Sequence, residues 1–211
     1  MRETTAPLRL AELISARLCH DLGGTIGTLA AALEMAVGDA PETTEVMSLA
    51  AEAAVQLRNR LKLLRAAWGP LDHSLDLPAL SELAKGLPGT GSLRTSLEAL
   101  PADTVFAPGV ARMVLNLLLL AREGLPAGGE VALAGTPADL VVSIAGPRAA
   151  WPKGLMQCLA SDANAWAAVQ EARTLQVPLT ALLARSLGLR LSLLMPGGPG
   201  DSLPLLRLSE F

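Results

Sequence analysis

Apolar residues recur every three or four positions from Leu8 to Val37, as Leu10, Ile14, Leu18, Leu22, Ile26, Leu29 and Leu33. That spacing is one face of a long helix. Gly38-Asp39-Ala40-Pro41 breaks the pattern, and a second run from about Thr43 to Trp68 carries Val46, Ala50, Ala53, Leu57, Leu61 and Leu64. Gly69-Pro70 then supplies two strong stop signals. Two long helices joined by a short loop predict an antiparallel hairpin. A lone hairpin leaves apolar surface uncovered, so the expected arrangement is a homodimer in which two hairpins form a four-helix bundle.

The pattern changes after Pro70. It predicts a helix around Leu77 to Gly86, a strand near Ser92 to Leu97, and a long helix from about Pro108 to Leu125. Gly128-Gly129 leads into strands Glu130–Ala134 and Leu140–Ala145. Helical patterns at Pro152–Ala160 and Pro178–Leu187 are joined by a loosely helical or irregular link. Strands Arg190–Leu194 and Leu203–Leu208 close the chain, with Gly197 to Gly200 as their hairpin loop. Helices mixed with antiparallel strands read as an α+β sandwich. The boundary falls at Gly69–Asp72, giving a hairpin domain over residues 1–70 and an α+β domain over residues 71–211.

Composition supports the helical reading and narrows the function classes. Leu and Ala, which head the helix scale, dominate a chain of 211 residues with no Tyr, two Phe and three Trp. No stretch approaches the roughly 20 apolar residues of a membrane span. The N-terminal segment carries charges and lacks a signal-peptide pattern, so a cytoplasmic protein is expected. A net charge of −3 gives no general footprint for nucleic acid. Cys19 and Cys158 suggest neither a disulfide framework nor a zinc site. No metal or cofactor is expected on this chain.

The chemistry concentrates at His20. On a wheel of about 100° per residue it lies roughly 200° from Leu18 and Leu22, and so faces away from the apolar stripe. Its face-mates are small: Ala16, Gly23, Gly24, Gly27 and Ala31. Two adjacent glycines inside a helix cost about 1 kcal/mol each relative to alanine, and a helix that carries them beside an exposed imidazole leaves room for a close approach. The alternative is a surface histidine beside a kink. Imidazole suits reversible phosphoryl transfer, because its neutral nitrogen is nucleophilic near neutral pH and can carry a covalent intermediate. Asp21 is placed to hold the other ring nitrogen, although neighbours at i,i+1 do not share a helix face. On the second helix Arg58, Lys62 and Arg65 form a basic stripe, with Arg60 nearby. If the hairpin turns near Ala40, this stripe is expected to flank His20 and offset phosphoryl charge; the alternative is a solvated face. His73 is read as a linker residue.

Arg17-Leu18-Cys19-His20-Asp21-Leu22 resembles the phosphoacceptor helix of two-component signalling proteins. The run from Arg17 to Gly27 with Leu33-Glu34-Met35 is similar to histidine phosphotransferases of the ChpT type, as is Leu64-Arg65-Ala66-Ala67-Trp68-Gly69 at the end of the second helix. Asn116-Leu117-Leu118 through Gly128-Gly129 resembles the helix and turn that lead into the sheet of kinase ATP-binding domains. Gly146-Pro147-Arg148-Ala149 and Val177-Pro178-Leu179 through Leu183-Ala184 fit the same family. Two departures stand out. Thr25 occupies the place of an expected proline, and Leu120 that of an asparagine-like metal ligand. No acidic residue lies between Val141 and Met156, so the acid of the adenine contact is missing.

The resemblance implies a degenerate ATPase-like (Bergerat-type) α/β sandwich behind the hairpin, without the oxygen ligands that a nucleotide and its magnesium need. It implies that His20 accepts a phosphoryl group from the aspartate of one receiver domain and passes it to another, as between a hybrid kinase and a response regulator. Mg2+ would sit on the receiver. Arg17, the glycines and the basic stripe become the expected partner-binding set. Two alternatives stay open: an ATP-dependent sensor histidine kinase core, and a non-catalytic dimeric adaptor.

Overall fold

The computed structural model describes residues 5–37, 43–88, 93–195 and 203–210. Two helices, α1 (Ala6–Val37) and α2 (Thr43–Trp68), form the antiparallel hairpin that the periodicity predicts. The break at Gly38-Asp39-Ala40-Pro41, the start of the strand at Ser92 and the Gly197–Gly200 loop lie outside the described residues.

Strand β1 (Leu75–Asp76) runs into helix α3 (Leu77–Ala84). The Asp76 carboxylate caps α3 by accepting from the Ala79 amide at 2.8 Å, and Pro78 sits in the first turn, where its missing N–H costs nothing. Strands β2 (Leu93–Ala99) and β3 (Val105–Phe106) precede the central helix α4 (Pro108–Glu123). A hairpin of β4 (Gly129–Thr136) and β5 (Asp139–Ala145) follows, then helices α5 (Leu155–Ala160), α6 (Asp162–Ala167) and α7 (Gln176–Ser186). A 3-10 turn at Ala172–Thr174 leads into α7, and strands β6 (Leu189–Leu194) and β7 (Leu205–Glu210) complete the main sheet.

The fold class is the one expected, a helical hairpin followed by an α+β sandwich, but the sheet is mixed rather than purely antiparallel. Its order is β2-β4-β5-β7-β6, and β2 pairs with β4 in parallel. Between them the chain crosses through β3 and α4, and a crossover of that length delivers the next strand in parallel. Burial alternates along β5, where Leu140, Val142 and Ile144 point inward, the period of two that one covered face demands. Gly129 starts β4 at φ +138°, and a Cβ there would meet the Ala145 carbonyl at 2.3 Å, so only glycine fits. Within the link expected to be loosely helical or irregular, α6 forms, capped where the Ser161 hydroxyl accepts from the Asn164 amide at 3.1 Å.

Helix α4 is buried on nearly every side, touching α2, α3 and α7 as well as the sheet. Leu63, Leu64 and Ala67 of α2 belong to the same core as α4 and the sheet, so apolar packing runs without interruption across the boundary at Gly69–Asp72. One polar chain crosses this core. The Asn116 carboxamide nitrogen donates to the Ala67 carbonyl at 2.7 Å and to the Arg112 carbonyl, and Gln176 donates to Asn116 Oδ1 and to the Thr180 hydroxyl. The Thr180 hydroxyl in turn donates to the Gln176 carbonyl. Hydrogen-bonded polar groups of this kind are tolerated in a core and fix the packing of the helices that carry them.

Candidate functional site

His20 lies two turns or more inside each end of α1, and its side chain is 60% exposed. Ring nitrogen Nδ1 is 3.2 Å from Asp21 Oδ1. The other Asp21 oxygen accepts from Arg17 Nε at 2.8 Å, one turn back on the same helix. Arg17 then reaches the second domain: Nη2 donates to Glu123 Oε1 at 2.8 Å, and Nη1 donates to the carbonyls of Ala172 and Arg173 at 3.2 and 2.9 Å. Arg17 and Asp21 are nearly covered, with side-chain exposures of 13% and 12%.

The expectation that Arg17 is a free cation for docking a partner does not fit these contacts. Its guanidinium already serves four acceptors inside the chain, and the rigid fork leaves little to offer outward. Burial alone would lower its pKa, but the hydrogen bonds to Asp21 and Glu123 outweigh burial and raise it. For Glu123 the balance is reversed: burial raises its pKa against the opposing bond from Arg17, and the Asp21 charge adds to the rise.

Helix α2 runs past His20 at the expected level, since Arg60 Nη1 donates to the Asp21 carbonyl at 2.9 Å. Together with Gln56, Gly24 and Thr28, Arg60 borders an open groove of about 410 Å³ at His20. The basic stripe lies elsewhere. Arg58 is about 160° around α2 from Arg60, and Arg58 and Lys62 act on the Glu82 carboxylate of α3, whose pKa is lowered mainly by Lys85. Arg65 continues that stripe and is exposed. The periodicity that groups Arg58, Lys62 and Arg65 on one face is correct, but that face is turned away from the groove.

Gly23, Gly24 and Gly27 are all exposed, and a Cβ on any of them would meet no atom within 4 Å. Among the described residues, no packing requires glycine at these positions. Leu120 is fully buried in the core. His73 is exposed beside Asp72, consistent with a linker position. Glu123 carries no sequence signal that links it to His20, because its partner Arg17 is 106 residues away.

Among the described residues no group of three His, Cys, Asp or Glu side chains is arranged to hold a metal ion, and no helix is long and apolar enough to cross a membrane. Both cysteines are free, Cys19 exposed and Cys158 buried.

A comparison with curated proteins finds no match. Among solved structures, a bacterial phosphotransferase superposes with a TM-score of 0.75 at 21% identity, covering 98% of each chain, which establishes a common fold. The cytoplasmic segment of histidine kinase QseC aligns at 16% identity over 82% of this chain and 97% of that one, with a TM-score of 0.35. Residues 80–198 match the histidine phosphotransferase C-terminal domain, a range that begins after the hairpin and leaves His20 outside it. That match takes in more than half of the chain, and the chain belongs to the histidine phosphotransferase family.

Proposed function

We propose that this protein is a cytoplasmic, homodimeric phosphorelay transferase whose phosphoacceptor is His20. The observation that carries the reading is the state of the imidazole: exposed, bordered by glycines that no packing among the described residues requires, and engaged at Nδ1 by Asp21. An Nδ1–H donated to a carboxylate leaves the Nε2 lone pair to react.

In the forward step Nε2 forms a bond to phosphorus as the P–O bond of a receiver's aspartyl phosphate breaks, and the aspartate carboxylate departs with the electron pair. Asp21 stabilises the positive charge that the ring gains. The reverse step hands the group to a second receiver. Arg60 at the groove supplies a cation close to the transferred phosphoryl group, where charge stabilisation is worth most. Magnesium, in this reading, is carried by the receiver. The second domain acts without ATP, with Leu120 in the core where a metal ligand would be needed.

The dimer is proposed from apolar surface. Ile26 and Leu33 on α1, and Met47 and Leu61 on α2, are between 45% and 50% exposed. Each pair recurs at multiples of seven residues, the spacing of a bundle seam. A second hairpin would cover them.

The test is transfer of labelled phosphate from a phosphorylated receiver domain, beside a parallel incubation with Mg-ATP. The expected result is acid-labile label on the wild type from the receiver but not from ATP, and none on a folded His20→Gln variant. Label on that variant would remove His20 as the acceptor, and label from ATP would make the protein a kinase.

A further inference from the structure

We propose that Glu123, acting through Arg17, is a positioning residue for His20: the second domain holds the Asp21 carboxylate against Nδ1 and thereby selects Nε2 as the nucleophile. This rests on the reading of His20 as the phosphoacceptor and adds to it a task for the second domain.

The argument begins with a difficulty in the helix itself. Residues at i and i+1 point about 100° apart, so Asp21 has no intrinsic reason to keep its carboxylate on the His20 ring. A carboxylate free to rotate would lie in solvent. In the structure it does not rotate freely, because Oδ2 is bound to Arg17 Nε at 2.8 Å while Oδ1 faces His20 Nδ1. The clamp is only as firm as Arg17, whose side chain carries many rotamers. Three acceptors outside α1 fix it: Glu123 Oε1 at the last residue of α4, and the carbonyls of Ala172 and Arg173 on the 3-10 turn.

The guanidinium is planar, so bonds on Nη1 and Nη2 set the direction in which Nε points, and Nε in turn sets Asp21. Of the three outer acceptors only Glu123 is charged, and charge-assisted bonds are the stronger ones. The chain of contacts thus runs from α4 to the imidazole through two nearly covered side chains. The Arg60 bond to the Asp21 carbonyl holds the backbone at the same residue, so both ends of Asp21 are fixed. The chemical consequence is tautomer selection, since the proton on one ring nitrogen is set by the bond it makes.

The experiment compares the full-length wild type with Glu123→Ala, Glu123→Gln, Arg17→Ala and Arg17→Lys by 15N NMR of the imidazole, at a pH where the ring is neutral. Two transfer rates are measured on each: from a phosphorylated receiver domain, and from phosphoramidate, a small donor that needs no docking. The expected wild-type signal is Nδ1–H with Nε2 bare. Glu123→Ala and Arg17→Ala should move the ring toward the Nε2–H form and slow both donors by about tenfold, the scale of outer partners of metal-bound histidines. Arg17→Lys should not rescue, because an ammonium cannot span the fork. Glu123→Gln, which keeps the accepting oxygen, should fall between and remains informative if the alanine variant misfolds.

An unchanged tautomer would overturn the proposal, whatever the rates. If only the receiver reaction slowed, Glu123 would belong to partner docking instead. A failure of the parent reading shows separately: His20→Gln would still be phosphorylated, while the tautomer comparison would continue to report on Glu123.

Discussion

The two ends of the hairpin are built from the same kind of helix but are held by different means. At the root, where the hairpin meets the second domain, leucines are buried: Leu63 and Leu64 join the main core, and Leu13 packs with Val169 and Leu175 beside α7. At the tip the buried residues are alanines, Ala32, Ala50 and Ala53, while Ile26, Leu33, Met35, Met47, Leu49 and Val55 stand exposed. Apolar burial contributes about 25 cal/mol per Å², so an alanine seam adds little compared with a leucine core. Among the described residues, the root finds its cover within the chain and the tip does not. His20 sits near the border, rigid enough to be positioned and open enough to be reached.

That contrast can be broken most forcefully at the root. Leu63→Ala should destabilise the protein by about 2–5 kcal/mol, because a fully buried leucine leaves a cavity. At the tip, Ile26→Glu with Leu33→Glu should shift the stability of a single chain by only about 0.5 kcal/mol per site, yet abolish association. Urea unfolding beside light scattering separates the two. A tip variant that stays dimeric would place the interface elsewhere.

The next effect belongs to the border. A Cβ at Gly24 meets no atom within 4 Å, and glycine is the poorer helix former, so Gly24→Leu should stabilise the helix by about 0.5–1 kcal/mol. Transfer from a receiver should nevertheless slow by about 100-fold, the scale of a small displacement of reacting groups. A more stable variant with normal transfer would move the docking face away from Gly24.

The smallest effect sharpens the link between root and second domain. Because burial raises the Glu123 pKa, the folded chain keeps this proton where the unfolded chain has already released it. The stabilisation from that proton is present at low pH and lost as pH rises through the folded value. Relative to Glu123→Gln, the wild type should therefore gain stability as pH falls from neutral toward the ordinary glutamate range. Urea midpoints across that interval would show it, and a difference independent of pH would contradict it.

How much of this was legible in the sequence follows from the range over which each signal acts. The periodicity of Leu10 through Leu33 and the stop at Gly69-Pro70 are local, and they locate α1 and α2 closely. The outward face of His20 follows from the same wheel. Parallel pairing of β2 with β4 depends on a crossover, not on either strand, and antiparallel order was the wrong expectation there. Strands of two residues, as in β1 and β3, carry no pattern to read. Helix α6 carries a local signal, Ser161 followed by Asp162 in the first turn, which gives bounds to the link that reads only as loosely helical or irregular. At the site, level along the hairpin was readable but rotation was not. Arg60 and the Arg58 stripe share a level, and only rotation decides which one meets His20. Glu123 becomes visible only when the chain folds back over 106 residues.

The hydrogen-bonded chain from Ala67 through Asn116 and Gln176 to Thr180 carries a further consequence for how the molecule comes apart. It ties the last turn of α2 to α4 and α7 inside one apolar core, and none of its members can leave alone without stranding a polar group in that core. The domain boundary that the sequence suggests at Gly69–Asp72 is thus spanned by packing and hydrogen bonds and is not expected to act as a hinge. Hairpin root and sheet domain should melt as one cooperative unit, and a receiver docking at His20, as proposed, would meet a surface whose two halves keep a fixed spacing.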